Sequence, residues 1–138
     1  MSALVKGFSV GAITMFSEDL ERSKSFYQEV FGLPMAFEDQ NSAVFEFGTT
    51  VINLLKIPAA QKLVEPGTVA SRDAGARFQL TMEVDDVDAV CDELARRGVT
   101  LLNGPMDRPW GIRTASFTDP AGHLWEIAQS LSPSPEGD

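Results

Sequence analysis

Histidine and cysteine, which are common metal ligands and catalytic groups, are scarce in this 138-residue chain. The chain contains one histidine, His123, and one cysteine, Cys91. Structural zinc sites usually need four sulfur or nitrogen ligands, and many non-haem iron sites need two histidines and a carboxylate. A single cysteine forms no internal disulfide, which is typical of the reducing cytoplasm. The sequence therefore predicts a cytoplasmic protein without a metal or another cofactor.

The charge balance of the chain is strongly acidic. Lys and Arg number 11 against 20 Asp and Glu, which gives a formal net charge of −9. Nucleic acids and anionic membrane surfaces attract basic patches, so we expect neither as a partner. No apolar run approaches the roughly 18 residues of a membrane span. A cationic small molecule suits this charge, although acidity also serves solubility.

Glu126 is the acidic residue whose position most favours a functional role. It interrupts an apolar run, Leu124 to Ala128, that is predicted to form a strand. A carboxylate on the concave face of a sheet is costly unless it is hydrated or paired. Glu126 is therefore predicted to bind a ligand or act as a general base, or else to be held by a hydrogen bond without a function.

Three further polar residues are candidate ligand contacts. Asn53 and Gln79 interrupt apolar strands, where they could hydrogen-bond a ligand or satisfy one another. If residues 119–122 form a two-residue hairpin turn, Arg113 lies diagonal to Glu126 on the same face. Arg113 could then clamp a carboxylate or phenolate of the substrate, or form an ion pair with Glu126.

Aromatic residues complete the set of candidate ligand contacts. Trp110 lies in a loop beside a proline and a glycine, and loop residues often contact ligands. Phe16, Phe45 and Phe47 could join it in an aromatic wall that stacks a flat ligand. Core packing is the alternative for each phenylalanine.

Two stretches of the sequence share one order of predicted elements. Each contains a strand, a helix that begins at an acidic cap, a glycine stop and three short strands. The first helix is predicted over residues 19–31, and the second begins at residues 85–88 and ends at Gly98. Acidic side chains at these starts suit the positive end of the helix dipole. The repeat predicts an α+β fold of two βαβββ modules.

The modules divide the chain into four segments. Residues 1–57 form the first module, residues 58–75 a linker loop, residues 76–130 the second module, and residues 131–138 a disordered tail. One face of each curved sheet is predicted to pack on its helix. The other face is predicted to line a cleft.

Three segments of the sequence resemble the vicinal oxygen chelate superfamily, which includes glyoxalase I, bleomycin- and fosfomycin-resistance proteins and extradiol dioxygenases. The similar segments are Gly11–Leu33, Glu83–Val90 and Asp119–Ile127. The resemblance covers about residues 7–130 and implies the glyoxalase/bleomycin-resistance fold and a homodimer. It does not imply one reaction, because this fold hosts many functions.

The resemblance also places the metal ligands of metal-dependent members at four positions of this chain. They correspond to Ala12, Asn53, Gln79 and Glu126, where such members usually have His, Glu, His and Glu. A methyl group cannot bind metal, and two amides with one carboxylate would not hold zinc, nickel or iron against water. The metal-assisted reactions of the superfamily are therefore not expected here.

Two function classes remain open from the sequence. The first is a metal-independent binding protein that sequesters an antibiotic or metabolite, as the resemblance to bleomycin-resistance proteins implies. The second is a metal-independent lyase, isomerase or hydrolase in which Glu126 acts as the general base. A metal-dependent glyoxalase or dioxygenase ranks last.

Overall fold

A computed structural model of the chain describes residues 9–131. Residues 1–8 of the predicted first module and residues 132–138 of the predicted tail lie outside the described residues. The chain divides into two compact units, Met1–Val69 (unit 1) and Ala70–Asp138 (unit 2). Among the described helices, none is both long enough and apolar enough to cross a membrane.

Unit 1 contains a four-stranded sheet and two helices. Its elements are β1 (Ala12–Ser17), α1 (Leu20–Glu29), β2 (Met35–Glu38), β3 (Ser42–Phe47), β4 (Thr50–Lys56) and α2 (Ile57–Val64). The strand order is β1-β4-β3-β2, with β1 parallel to β4 and the other neighbours antiparallel. This is the predicted βαβββ module with one additional helix.

Unit 2 repeats the module with the same strand order. Its elements are a 3₁₀ turn (Arg72–Ala74), β5 (Gln79–Glu83), α3 (Val87–Arg96), β6 (Asn103–Asp107), β7 (Ile112–Thr118) and β8 (Leu124–Ser130). The order is β5-β8-β7-β6, with β5 parallel to β8. The predicted α+β fold of two βαβββ modules is confirmed.

Local capping explains why both module helices begin where the sequence predicts. The Asp19 carboxylate accepts a hydrogen bond from the Arg22 N–H, and the Asp86 carboxylate accepts one from the Ala89 N–H. Each bond satisfies a backbone donor that the first helical turn leaves without a partner. The equivalent caps give the two units equivalent strand-to-helix connections.

The core of unit 1 lies between its sheet and α1. Phe45 is fully buried there and stacks against Tyr27 of α1, with ring centroids 5.9 Å apart. Phe47 lies two residues further along β3 and therefore faces the same side. Phe16 faces the opposite side, because its neighbour Met15 points into the core. The predicted aromatic wall of Phe16, Phe45 and Phe47 is thus corrected, since alternation along the strands separates its members.

The segment predicted as a linker loop contains helix α2. Pro58 sits in the first turn of this helix, where its missing N–H costs no hydrogen bond. Beyond the helix, the Gln61 side chain donates to the Gly67 carbonyl and accepts from the Val69 N–H. The prolines and glycines of the segment bracket the helix, which is why the composition alone indicates a loop.

The turn between β7 and β8 is one residue longer than predicted. Asp119 and His123 form the closing pair, because the Asp119 N–H donates to the His123 carbonyl at 3.0 Å. Three residues, 120–122, form the loop, and Gly122 takes a φ of 95°. A three-residue hairpin loop with glycine in the left-handed region is a common solution.

This longer turn corrects the predicted position of Arg113. Ser116, and not Ala115, pairs with Glu126, while Arg113 pairs with Gln129. A shift of one residue moves a side chain to the other face of a sheet. Arg113 lies on the α3 side, where its guanidinium contacts Asp107 at 2.8 Å. It is therefore not diagonal to Glu126 and cannot clamp a ligand beside it.

The Asp119 carboxylate stabilises the turn from within, and its loss should destabilise unit 2. Asp119 is 2% exposed and accepts from the Ala121 and His123 N–H groups, and its Oδ2 lies 2.8 Å from His123 Nδ1. Because Asp119→Ala leaves these groups without their partner, we expect a loss of about 2–4 kcal/mol in the free energy of unfolding. Urea denaturation measures it.

The exposed Asp92→Ala variant provides the matched control for Asp119→Ala. It should change the free energy of unfolding by less than about 0.5 kcal/mol, as is usual for surface substitutions. Equal midpoints for the two variants would contradict a stabilising role for the Asp119 carboxylate.

Cys91 is buried on α3, and we expect its thiol to react slowly in the folded protein. Burial raises the pKa of Cys91, and the nearby carboxylates of Asp88 and Asp92 raise it further. A higher pKa leaves less thiolate at a given pH, and the thiolate is the nucleophile. Labelling with a disulfide reagent at pH 8 should be much slower in native than in urea-unfolded protein. Asp92→Asn should accelerate it slightly, and equal native and unfolded rates would contradict the prediction.

Candidate functional site

A row of polar side chains crosses the face of the unit 2 sheet that points away from α3. Thr81 of β5 pairs with Glu126 of β8, Glu126 pairs with Ser116 of β7, and Ser116 pairs with Asn103 of β6. Directly paired residues point to the same face of a sheet. We call this surface the open face of unit 2, and Glu126 lies at its centre.

Glu126 is held in place by one hydrogen bond. The Thr81 hydroxyl donates to Glu126 Oε1 at 2.9 Å. The side chain is half-buried, and within the described residues Oε2 has no hydrogen-bond partner. Thr81 thus orients the carboxylate, while one carboxylate oxygen is available to a ligand.

A cleft with a volume of about 720 Å³ opens beside Glu126 on the same unit. It is lined by Thr81, Glu83, Val84, Asp85, Ile112, Glu126, Ala128, Gln129 and Ser130. Three of these residues carry carboxylates and none is basic. A volume of this size accommodates a small organic molecule, and the lining charge favours a positively charged one.

Gln79 lies on the open face of unit 2, as predicted, but in the row next to that of Glu126. It pairs with Leu124, is exposed, and within residues 9–131 makes no hydrogen bond through its side chain. Thr81, which contacts Glu126 directly, is not among the residues predicted from the sequence. Alternation along β5 places Thr81 and Gln79 on one face, so this pattern was a usable signal.

Unit 1 has an equivalent pair at the equivalent position. Asn53 of β4 pairs with Thr14 of β1, and the Asn53 amide nitrogen lies 3.5 Å from the Thr14 hydroxyl. The Asn53 Oδ1 atom is buried and has no hydrogen-bond partner among the described residues. Phe16 lies half-buried on this face. Asn53 therefore presents an unsatisfied acceptor where unit 2 has a carboxylate.

The connection between β6 and β7 carries a tryptophan and an arginine. Trp110 is 68% exposed, so its ring is accessible as predicted for a loop contact. The Arg108 Nε–H donates to the hydroxyl of Thr114, which is fully buried on β7. Arg108 thus lies over the open face of unit 2, the face on which the sequence predicts Arg113.

His123, the single histidine, belongs to the turn and not to the site. Its side chain is only 18% exposed, because the ring packs beside the buried Asp119 carboxylate. This contact with Asp119 holds the His123 ring within the turn.

The donor atoms of this chain do not fit a transition metal. Among the four superfamily ligand positions, Ala12 provides no donor, and Asn53 and Gln79 provide only neutral amide oxygens. Within residues 9–131, no group of three His, Cys, Asp or Glu side chains is placed to hold a metal ion. Zinc, nickel and iron sites need imidazole, thiolate or several carboxylate ligands.

Comparisons with known proteins agree with the architecture of both units. The family model of the Glyoxalase/Bleomycin resistance protein/Dioxygenase superfamily matches residues 9–127. The uncharacterized protein YraH of Bacillus subtilis is 34% identical over 123 residues, which cover 86% of this chain and 96% of YraH. The metallothiol transferase FosB of Lysinibacillus sphaericus is 25% identical over 86% of this chain and 80% of its own length.

A solved structure shows the same fold at low sequence identity. A glyoxalase/bleomycin resistance protein/dioxygenase from Nocardioides aligns with a TM-score of 0.82 at 23% identity, over 92% of this chain and 86% of that one. Because the family model spans both βαβββ modules, the chain belongs to the Glyoxalase/Bleomycin resistance protein/Dioxygenase superfamily.

Proposed function

We propose that this chain is a metal-independent binding protein for a small cationic organic molecule, such as an antibiotic or a metabolite. The observation that carries the proposal is the cleft beside Glu126, in which Glu83, Asp85 and Glu126 supply three carboxylates and no basic residue lines the wall. A cation that enters the cleft gains Coulomb attraction in a partly desolvated setting. Binding of this kind needs affinity and no catalytic group.

The loss of metal ligands supports the metal-independent part of the proposal. The relative named as a metallothiol transferase and the superfamily as a whole make a metal-dependent reaction the obvious alternative. That alternative requires donors that Ala12, Asn53 and Gln79 do not supply. We therefore rank a metal-dependent glyoxalase or dioxygenase below a binding protein.

An enzyme that uses Glu126 as general base is the second candidate. It is favoured by the single hydrogen bond from Thr81, which fixes Oε1 and leaves Oε2 able to accept a proton from a substrate. A lyase, isomerase or hydrolase step without a metal would suit this arrangement. We further propose that the protein acts in the cytoplasm as a homodimer, as superfamily membership suggests.

Neutralising Glu126 should strongly weaken the binding of cations. We expect some members of a panel of cationic antibiotics and metabolites to raise the melting temperature, whereas uncharged analogues should not. A ligand at 100 times its Kd adds about 2.7 kcal/mol to the free energy of unfolding. Glu126→Gln should lose most of this gain, because the central carboxylate is removed while its shape is kept.

Glu29→Gln, at the exposed end of α1, removes the same charge from a residue that does not line the cleft and should retain the ligand effect. Mass spectrometry of the recovered ligand then separates the two candidate functions. An unchanged ligand supports binding, while consumption that stops in Glu126→Gln supports the enzyme. A ligand effect that Glu126→Gln leaves intact would contradict both.

Purified protein should contain far less than one transition-metal ion per chain. Removal of metal by a chelator should also leave the melting temperature and ligand binding unchanged, since no described donor group depends on a metal. Elemental analysis by plasma mass spectrometry, before and after addition of zinc, nickel or manganese, measures this. Stoichiometric metal that is lost in Glu126→Gln would contradict the metal-independent proposal.

A further inference from the structure

Arg108 is a half-buried cation whose hydrogen-bond partners are neutral. Its Nε–H donates to Thr114 Oγ1 at 2.9 Å, and Nη2 donates to Asn103 Oδ1 at 3.4 Å. Within residues 9–131, no carboxylate forms an ion pair with Arg108, whereas Arg113 pairs with two. A partly desolvated cation beside neutral groups is unfavourable unless an anion compensates its charge.

The guanidinium of Arg108 retains the donors that an anion would use. Arginine has five N–H donors in a fixed planar arrangement. The two contacts to Thr114 and Asn103 occupy Nε–H and one N–H of Nη2. The remaining Nη1 and Nη2 donors form the terminal edge that holds a carboxylate through two parallel hydrogen bonds.

The strand register places Arg108 on the same face of the unit 2 sheet as Glu126. Asn103, which Arg108 contacts, is in the row of Glu126 and two strands away. Thr114, which accepts the shorter hydrogen bond from Arg108, lies on β7 and so one strand away from Glu126. Ser116 lies between Asn103 and Glu126 in their row and is 4% exposed. The open face of unit 2 thus carries a carboxylate and a guanidinium, and among residues 9–131 the two form no ion pair with each other.

We propose that Arg108 binds a carboxylate of the ligand, so that the ligand of the open face is zwitterionic. The inference rests on the proposed function, because it adds a second charged contact to the same ligand. The positive group of the ligand lies at Glu126 and its carboxylate lies at Arg108. Trp110 follows two residues after Arg108 in the connection between β6 and β7 and is 68% exposed.

Three probes with one ring test the two contacts separately. 4-Methylbenzylamine carries the cation alone, 4-methylbenzoate the anion alone, and 4-(aminomethyl)benzoate both. Each is titrated into the ¹⁵N-labelled full-length protein, and NMR gives the Kd together with the shift of the Arg108 Nε–H signal. We expect the zwitterion to bind at least about tenfold more tightly than the amine, as a charge-assisted bidentate contact allows.

Variants assign this difference to its residue. Arg108→Gln should weaken the zwitterion to the affinity of the amine and leave the amine unchanged. Arg108→Lys keeps the charge without the planar pair of donors and should give an intermediate Kd. Arg96→Gln, which removes an exposed arginine from α3, should bind all three probes as the unmodified protein does.

The outcomes separate this inference from the proposed function. Equal affinities for zwitterion and amine would overturn the role of Arg108 and leave cation binding intact. An equal loss of affinity for both probes in Arg108→Gln would indicate that Arg108 only stabilises the connection between β6 and β7, and it would overturn the inference. Binding of 4-methylbenzoate alone, lost in Arg108→Gln, would support Arg108 and overturn the cationic ligand. The absence of binding by all three probes would overturn both.

Discussion

The buried carboxylate of Asp119 sets the register of β7 and β8, and both faces of unit 2 depend on that register. By accepting from the Ala121 and His123 N–H groups and contacting the His123 ring, it favours a three-residue loop over a two-residue one. One residue fewer in this loop would exchange the faces of every side chain on one strand relative to the other. A local polar contact of the turn therefore decides which side chains surround Glu126.

The consequence is most visible for the two arginines at the ends of the β6–β7 connection. The observed register turns Arg113 toward α3, where its guanidinium donates hydrogen bonds to Asp107 and Asp88, and these bonds raise the pKa of Arg113. Arg108, which enters from β6, lies instead over Thr114 on the opposite face. The sheet thus separates a cation whose charge is compensated within the protein from one whose partners are neutral. Of the two arginines, only Arg108 has a charge that no carboxylate among the described residues compensates.

The sequence predicts features that depend on local interactions and misses those that depend on the length of a turn. The helices beginning after Asp19 and Asp86 were predictable, because a carboxylate cap and an apolar stripe act within a few residues. The face occupied by Arg113 was not, because it follows from a hairpin loop that differs by one residue between two plausible turns. Phe45 was misplaced for a related reason, since alternation defines two faces without saying which one packs on Tyr27.

The two modules show how one repeated geometry can carry different chemistry. Thr14 with Asn53 and Thr81 with Glu126 occupy equivalent pairs, each joining the first and last strands of a module. In unit 2 the threonine hydroxyl donates to a carboxylate at 2.9 Å, whereas in unit 1 an amide stands at 3.5 Å from the hydroxyl and its buried oxygen is unsatisfied. The amide of Asn53 and the carboxylate of Glu126 have nearly the same shape, but the asparagine side chain is shorter by one methylene group. The charge does not survive the exchange, so of these two equivalent positions only that of Glu126, in unit 2, carries a carboxylate.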